Sequence, residues 1–487
     1  MRARGVFSRR ARRVTIPRIA STLSIDAPVL TREQAHDLAR KVLRMAAADT
    51  VDIELVHTRR QMTRIAGNRV LTGDDGDELR ITVTTEYGLK GSVSMATNQI
   101  DDVTLQGAVM RAQGAARALS GAPHSLLTIS EGPQQYLPVD LWRDASIAAL
   151  SERPSAITEM IDVVRTAGFV AAGFVGIMAR CAATMNQNGL ESYYRETDCE
   201  CTMQARAEDG TSSGWHGQAN RDWAKIDPHV VAATAVGVAR RGANPKAVEP
   251  GRRVAILTPI AVVQLVHLMT TAYDALETDV GQTPFSKHPS GNKIGLRVFD
   301  RNLTISSDPA DPDGGYRPDF HGGLPESKLT WVENGVLTNL AYSPLYGVTQ
   351  GKPYAGDPWS FRMSGGTMSI EDMIKACPEG ILVNRVSNIE VSNALTGVVT
   401  GLTCDGCFLV KQGRIDHPVK NFRFSDSPWF FLNNILAMGV PVRAALGYTP
   451  PAAAEGYGDV TAWPRRPIIV PPMMVQDFNF TSLVEAV

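Results

Sequence analysis

The sequence predicts an α+β protein in two domains: an N-terminal antiparallel sheet with helices on one face, then a large, mostly β C-terminal domain. Three observations carry that expectation. Between Thr31 and Leu119, two helical stretches flank an alternating, strand-like one. A polar break, Arg240-Arg-Gly-Ala-Asn-Pro-Lys246, then divides the chain. Beyond it Gly and Pro recur too often for long helices. A chain of 487 residues is also too long for one core. The expected units are a basic disordered tail over residues 1–25, an α+β domain over 26–242 and a mostly β domain over 243–487.

Thr31-Arg-Glu-Gln34 opens a helix with a capping box, its side chains serving otherwise unpaired backbone N–H groups. Ala35, Leu38, Ala39, Val42, Leu43 and Ala46 continue it at helical spacing. Val51–Val56 and Arg64–Leu71 read as strands, and Gly73-Asp-Asp-Gly-Asp77 as a turn. Leu79, Ile81 and Val83 alternate with polar neighbours, a half-buried strand that Tyr87–Ala96 would pair as a hairpin. Asp101 or Asp102 caps a helix through Leu119. Ile157–Arg165 and Val230–Ala239 read as helices, and Phe169–Met185 and Tyr193–Arg206 as strands. In the second domain a strand at Arg253–Leu257 leads into one helix over Pro259–Glu277. Further helices are expected only at Ser369–Ala376 and Pro428–Met438.

Composition narrows the function classes. A net charge of −1 with 20% charged residues offers no positive surplus for nucleic acid. No stretch approaches the ~20 apolar residues that span a bilayer. The first 18 residues carry seven arginines but no apolar segment, unlike a secretory signal. Six cysteines in this length make no disulfide framework, and a reducing cytoplasm fits. Cys404-Asp-Gly-Cys407 has no second CxxC to complete a zinc site, so two buried thiols are expected there.

The helix expected at Pro259–Glu277 is where chemistry would be sought. A metallohydrolase uses such a helix to present two neutral imidazoles to zinc and a carboxylate to the bound water. Here there is one histidine, His267, and no His-Glu pair anywhere in the chain. One imidazole cannot hold a catalytic zinc, and His267 on this apolar helix reads as a hydrogen-bonded core residue.

A set of motifs in order carries a family resemblance across most of the chain. They are Tyr87-Gly-Leu-Lys-Gly-Ser92, Asn292-Lys-Ile-Gly-Leu-Arg-Val-Phe-Asp300, Asp308-Pro309, Val332-Glu-Asn-Gly335, Phe361-Arg-Met363 and Leu409-Val-Lys-Gln-Gly413. Together they resemble the TldD/PmbA family of metalloprotease-type proteins. Active TldD-type members carry His-Glu-x-x-x-His on this helix, followed by Gly-Leu-Glu-x-Asp. This chain keeps Leu276-Glu277-Thr278-Asp279 and the Lys293-Ile-Gly295 turn. Anchored there, the family histidines fall on Met269 and Asp274 and the glutamate on Thr270. The family's third ligand is a cysteine near the C-terminus, and no cysteine follows Cys407. Loss of every ligand position together resembles the TldE-like (PmbA) branch. Two departures touch substrate contacts: Asp319-Phe-His-Gly322 replaces an acidic Asp-x-Glu-Gly turn, and Ser364 replaces an Asn.

The resemblance implies a metal-free accessory subunit of a heteromeric zinc peptidase or amide hydrolase. No catalytic residue, metal or cofactor is expected in this chain. Zinc would sit in a TldD-like partner, and the substrate would be a peptide or a peptide-derived small molecule, including one in antibiotic maturation. Nucleic acid and membrane are not expected partners, and the location would be cytoplasmic. His267, Tyr273, Glu277 and Arg362 are the candidate contacts with substrate or partner, in a cleft between the two domains. Arg362, beside Trp359 and Phe361, could clamp a carboxylate through its guanidinium fork or serve a structural ion pair.

Rival readings are an autonomous hydrolase with a metal on His267, Asp274 and Glu277, with or without His288, a homodimeric peptide-binding module, and a structural scaffold. Asp308, Asp311, Asp313 and Asp319 lack the distal glutamate and regular spacing of a calcium loop, so a solvated turn is expected. Gly210-Thr-Ser-Ser-Gly214 matches a nucleophile-elbow string without its strand and helix, and reads as a hairpin turn.

Overall fold

The computed structural model describes residues 28–88, 91–119, 131–149, 153–356, 358, 360–446 and 467–484. The expected basic tail, Leu89 and Lys90 of the Tyr87–Ser92 motif, and Trp359 lie outside the described residues.

The N-terminal region contains α1 (Arg32–Leu43), β1 (Thr50–Ala66), β2 (Arg69–Glu86), β3 (Ser92–Thr97), α2 (Asp102–Ala118), α3 (Asp144–Ala148), α4 (Arg153–Thr166), β4 (Val170–Asn186), β5 (Glu191–Arg206), β6 (Ser213–Asn220) and α5 (Pro228–Arg241). Its strands form one six-stranded sheet in the order β3-β2-β1-β4-β5-β6, with every neighbouring pair antiparallel. The capping box at Thr31 and Gln34 is present, and Asp101 caps α2 through the Thr104 N–H.

Most of the apolar alternation points one way. Ile53, Leu55, Leu79, Ile81, Val83 and Cys181 pack under α1 and α2, while Val175, Ile177, Cys199, Cys201 and Met203 pack under α4 and α5. Each such aliphatic side chain contributes about 1.5–3 kcal/mol by leaving water. The fold is therefore α+β, with the helices covering one face of the sheet.

The first hairpin differs from the expectation. One strand, β1, spans both predicted strands up to Ala66, and the chain turns at Gly67-Asn68, where both φ values are positive (60° and 61°) as a type I′ turn demands. The Gly73–Asp77 run is not a turn but part of β2, paired residue for residue with Arg59–Thr63. Asp77 sits opposite Arg59 and accepts from His57 Nε2 at 2.8 Å, so cross-strand charge pairing overrides local turn propensity.

The other face of this sheet mixes polar groups with a few buried apolar ones, among them Phe174, Met178 and Trp215, and the C-terminal region packs on it. Ser192 donates to Asp319 (2.5 Å), Gln204 to Asp405 (2.6 Å) and the Arg221 guanidinium to the Gly315 carbonyl (2.6 Å), while Asp198 pairs with Arg443.

That region holds two further large sheets. In the larger, β7 (Gly251–Leu257) runs parallel to Glu379–Asn393 and antiparallel to Met473–Leu483. In the other, Ile305–Ser307 lies between Leu329–Glu333 and Phe361–Met363. The main core joins both sheets to the helix after β7, with Trp331, Phe285, Phe299, Phe424 and Phe478 fully enclosed.

Two predicted helices are shorter than expected. Pro259–Glu277 is not continuous: α6 (Pro259–Val266) tightens into a 3₁₀ stretch over His267–Tyr273, breaks at Asp274, and resumes as α7 (Ala275–Asp279). The Thr270 hydroxyl donates to the His267 carbonyl at 2.8 Å, a back-bond that favours the tighter turn. Asp274 then leaves the helical path to bridge Ala341 and to cap α7. Pro428–Met438 is helical only to Phe431. Asn433 and Asn434 bond back to the Trp429 and Phe430 carbonyls, and Ile435–Met438 joins the sheet instead.

Candidate functional site

The segment from His267 to Asp279 is built from local bonds. His267 is half-buried at the end of α6, its Nδ1 3.2 Å from the Val263 carbonyl oxygen. Met269 is 3% exposed and lies in the main core. Asp274 accepts from the Glu277 N–H at 2.7 Å, and the Ala275 N–H donates to Ala341 O at 2.9 Å. The three positions where a zinc site was sought thus hold a core thioether, a back-bonded hydroxyl and a capping carboxylate. Among the described residues no three His, Cys, Asp or Glu side chains are grouped so as to hold a metal ion. His267, Asp274, Glu277 and His288 form no such group either.

Tyr273, a candidate contact, is a core residue: it is 3% exposed and packs on Phe285 (centroids 4.8 Å apart) and Trp331 (5.5 Å). Its hydroxyl is buried with no hydrogen-bond partner, and burial pushes its pKa up. The expectation of a ligand contact there is corrected by this burial. Glu277 remains exposed, at the mouth of a small cavity of about 100 Å³ whose other walls include Leu268, Pro284 and Trp429. Partial burial and the nearby Asp274 carboxylate raise its pKa.

Arg362 lies apart from this segment and is an ion-pair residue. Its Nε and Nη2 donate to the two Asp311 oxygens at 2.7 and 2.9 Å, a bidentate fork. Burial alone would raise the Asp311 pKa, but the fork and the N–H groups of Gly314 and Asp313 hold it at about 2. The acidic loop is thus closed by an arginine and by Asx-type turns. Gly210–Ser212 lies in the turn between β5 and β6, with Gly210 at φ 71°, and Ser213 and Gly214 open β6. The Cys404 and Cys407 thiols lie in one strand, and burial pushes both up to about 12, leaving them inert.

Sequence reasoning missed a second place. A cavity of about 150 Å³ lies where β4 and β5 meet the C-terminal region, walled by Arg180, Arg221, Arg317, Arg443 and Tyr194. Its signal was present in β5: Tyr194, Glu196, Asp198 and Glu200 recur every second residue on the face away from the helices.

Residues 250–482, just under half of the chain, match the PmbA/TldA metallopeptidase C-terminal domain. Over that span the chain is similar to the TldD/PmbA family. A curated "Metalloprotease" of Methanothermobacter thermautotrophicus is 26% identical over 169 residues, which cover 32% of this chain and 37% of that protein. The match therefore spans little more than a third of that relative's length.

Two solved structures share the whole architecture. TldE from Thermococcus kodakarensis superposes with a TM-score of 0.77 over 91% of this chain and 99% of its own, at 15% identity. A protein of Thermotoga maritima, described as a candidate modulator of a DNA gyrase, does so at 0.78 over 92% and 100%, also at 15% identity. At that identity the likeness is one of fold. No helix among the described residues is long and apolar enough to cross a membrane.

Proposed function

We propose that this chain is a non-catalytic, TldE-like subunit of the TldD/PmbA family. It pairs with a zinc-bearing TldD-like protein and helps to hold a peptide, or a peptide-derived small molecule, against that partner's metal. The observation that carries this reading is the conversion of the ligand positions to structural use. Met269 fills the core, the Thr270 hydroxyl is bonded to the His267 carbonyl, and Asp274 caps α7. A catalytic zinc takes three protein ligands and keeps one open position, and this donor set does not fit it. The six cysteines, all free, suit a reducing cytoplasm. An extended peptide would be held by strand addition to a sheet edge.

The test is co-expression with the TldD-like protein of the same genome. The pair should co-purify and cleave an unfolded peptide or a peptide-derived amide, while this chain alone cleaves neither. Cleavage by the isolated chain would overturn the proposal.

A further inference from the structure

The cavity between the N-terminal sheet and the C-terminal region has an unusual balance of polar groups. Asp198 and Arg443 on its wall pair with each other, both nearly enclosed, and Glu196 lies 3.8 Å from Arg180. Arg221 is different. At 4% exposure its terminal nitrogens donate only to neutral carbonyls, Leu141 at 3.4 Å and Gly315 at 2.6 Å, and its Nε has no partner. Arg317, across the cavity, also has a buried Nε with no partner, although Asp319 and Glu54 lie near enough to act on its charge. Tyr194 is 4% exposed, and its hydroxyl has no partner.

The three leftover groups on this wall are all donors: two guanidinium N–H groups and one phenol. No buried side-chain carboxylate oxygen on this wall lacks a partner among the described residues. Burying charge is costly without enough counter-charge, and four arginines line this cavity against two carboxylates, Glu196 and Asp198, which also act on the Arg221 charge. Water would complete the hydrogen bonds but not the charge. A ligand that only accepts, and carries negative charge, complements all three donors at once.

We infer that this cavity binds a compact oxyanion, a carboxylate or phosphate group, held by the side chains of Arg221, Arg317 and Tyr194. Both Arg221 and Arg317 offer Nε beside a terminal nitrogen, the fork that matches two oxygens of such a group. Tyr194 adds a single donor that stays protonated at neutral pH, because burial pushes its pKa to about 12. The site joins the two halves of the chain, so an occupant would bind them to each other. This inference does not depend on the subunit reading.

The experiment is calorimetric titration of the full chain with inorganic phosphate and, separately, with acetate, at ionic strength matched with chloride. Saturable binding of one or both is expected, and the stronger arm identifies the group. Tyr194→Phe should weaken that binding about tenfold, the loss of one charge-assisted hydrogen bond. It should leave the melting temperature without anion unchanged, because the hydroxyl has no partner to lose. Arg317→Met should weaken binding further. Failure of both anions to bind saturably would overturn the inference and leave the cavity to water. So would binding that Tyr194→Phe does not weaken.

Discussion

Two regions of this molecule concentrate polar side chains, and they use them in opposite ways. Along His267–Asp279 the local backbone absorbs them: Thr270 bonds the His267 carbonyl, Asp274 caps α7, and Thr278 donates to the Asp274 carbonyl at 2.6 Å. Against β5 the reverse holds, and Arg221, Arg317 and Tyr194 keep donors that nothing in the described chain accepts. The first region is where the sequence led a zinc motif to be sought, and its geometry there is that of a helix end. The second carries no family motif, yet it is where binding capacity is left over. A motif position therefore says where chemistry could be, while the hydrogen-bond inventory says where it still can be.

The comparison can be broken most forcefully at the cavity wall. Asp198→Ala leaves Arg443 buried without its counter-ion and should cost about 3–5 kcal/mol in urea unfolding. A loss below about 1 kcal/mol would mean that the wall is not a closed ionic layer. In the motif segment, Tyr273→Ala should cost about 3 kcal/mol or more as a cavity in the aromatic cluster. Tyr273→Phe should cost nothing or stabilise slightly, because it removes a buried hydroxyl that has no partner. If Tyr273→Phe instead destabilised the protein, that hydroxyl would have an unrecognised acceptor, and the contrast between the regions would weaken.

The Asp311–Arg362 pair gives a smaller, pH-dependent effect. The Asp311 pKa is about 2 in the fold against an ordinary value of 3.8, so its contribution is fully present above about pH 4 and is lost as the pH falls toward 2. For a pair that is partly open to solvent this contribution is on the order of 1 kcal/mol. Asp311→Asn should lower stability by that amount at pH 7 and converge with the unaltered protein near pH 2, as followed by denaturant titration. The smallest change is expected from His267→Ala. Its loss should stay within about 1.5 kcal/mol, that of one hydrogen bond, with no change in metal content.

Much of the architecture was legible from residues. The capping groups at Thr31 and Asp101 and the alternation of Leu79, Ile81 and Val83 placed helices and strands where they stand. The misreadings have physical causes. Gly73–Asp77 carries turn residues, but its register opposite Arg59–Thr63 keeps it in a strand. Pro259–Glu277 has helical spacing throughout, but the Thr270 back-bond tightens it from His267 and the backbone bridge from Asp274 to Ala341 then breaks it. Spacing cannot report a partner 67 residues away.

The same limit hid the cavity. Its walls come from β4, β5, the turn after β6, the stretch around Gly315 and Arg443, and only folding brings them together. For Arg362 the sequence left open a ligand clamp or an ion pair, and Asp311, 51 residues upstream, decides for the pair.

The central claim is that this chain binds no catalytic zinc and depends on a partner that does. It is tested most directly by equilibrium dialysis of the purified full-length chain against zinc, followed by metal analysis. The account predicts substoichiometric zinc that His267→Ala leaves unchanged. One tightly held zinc per chain, lost in His267→Ala, would contradict it.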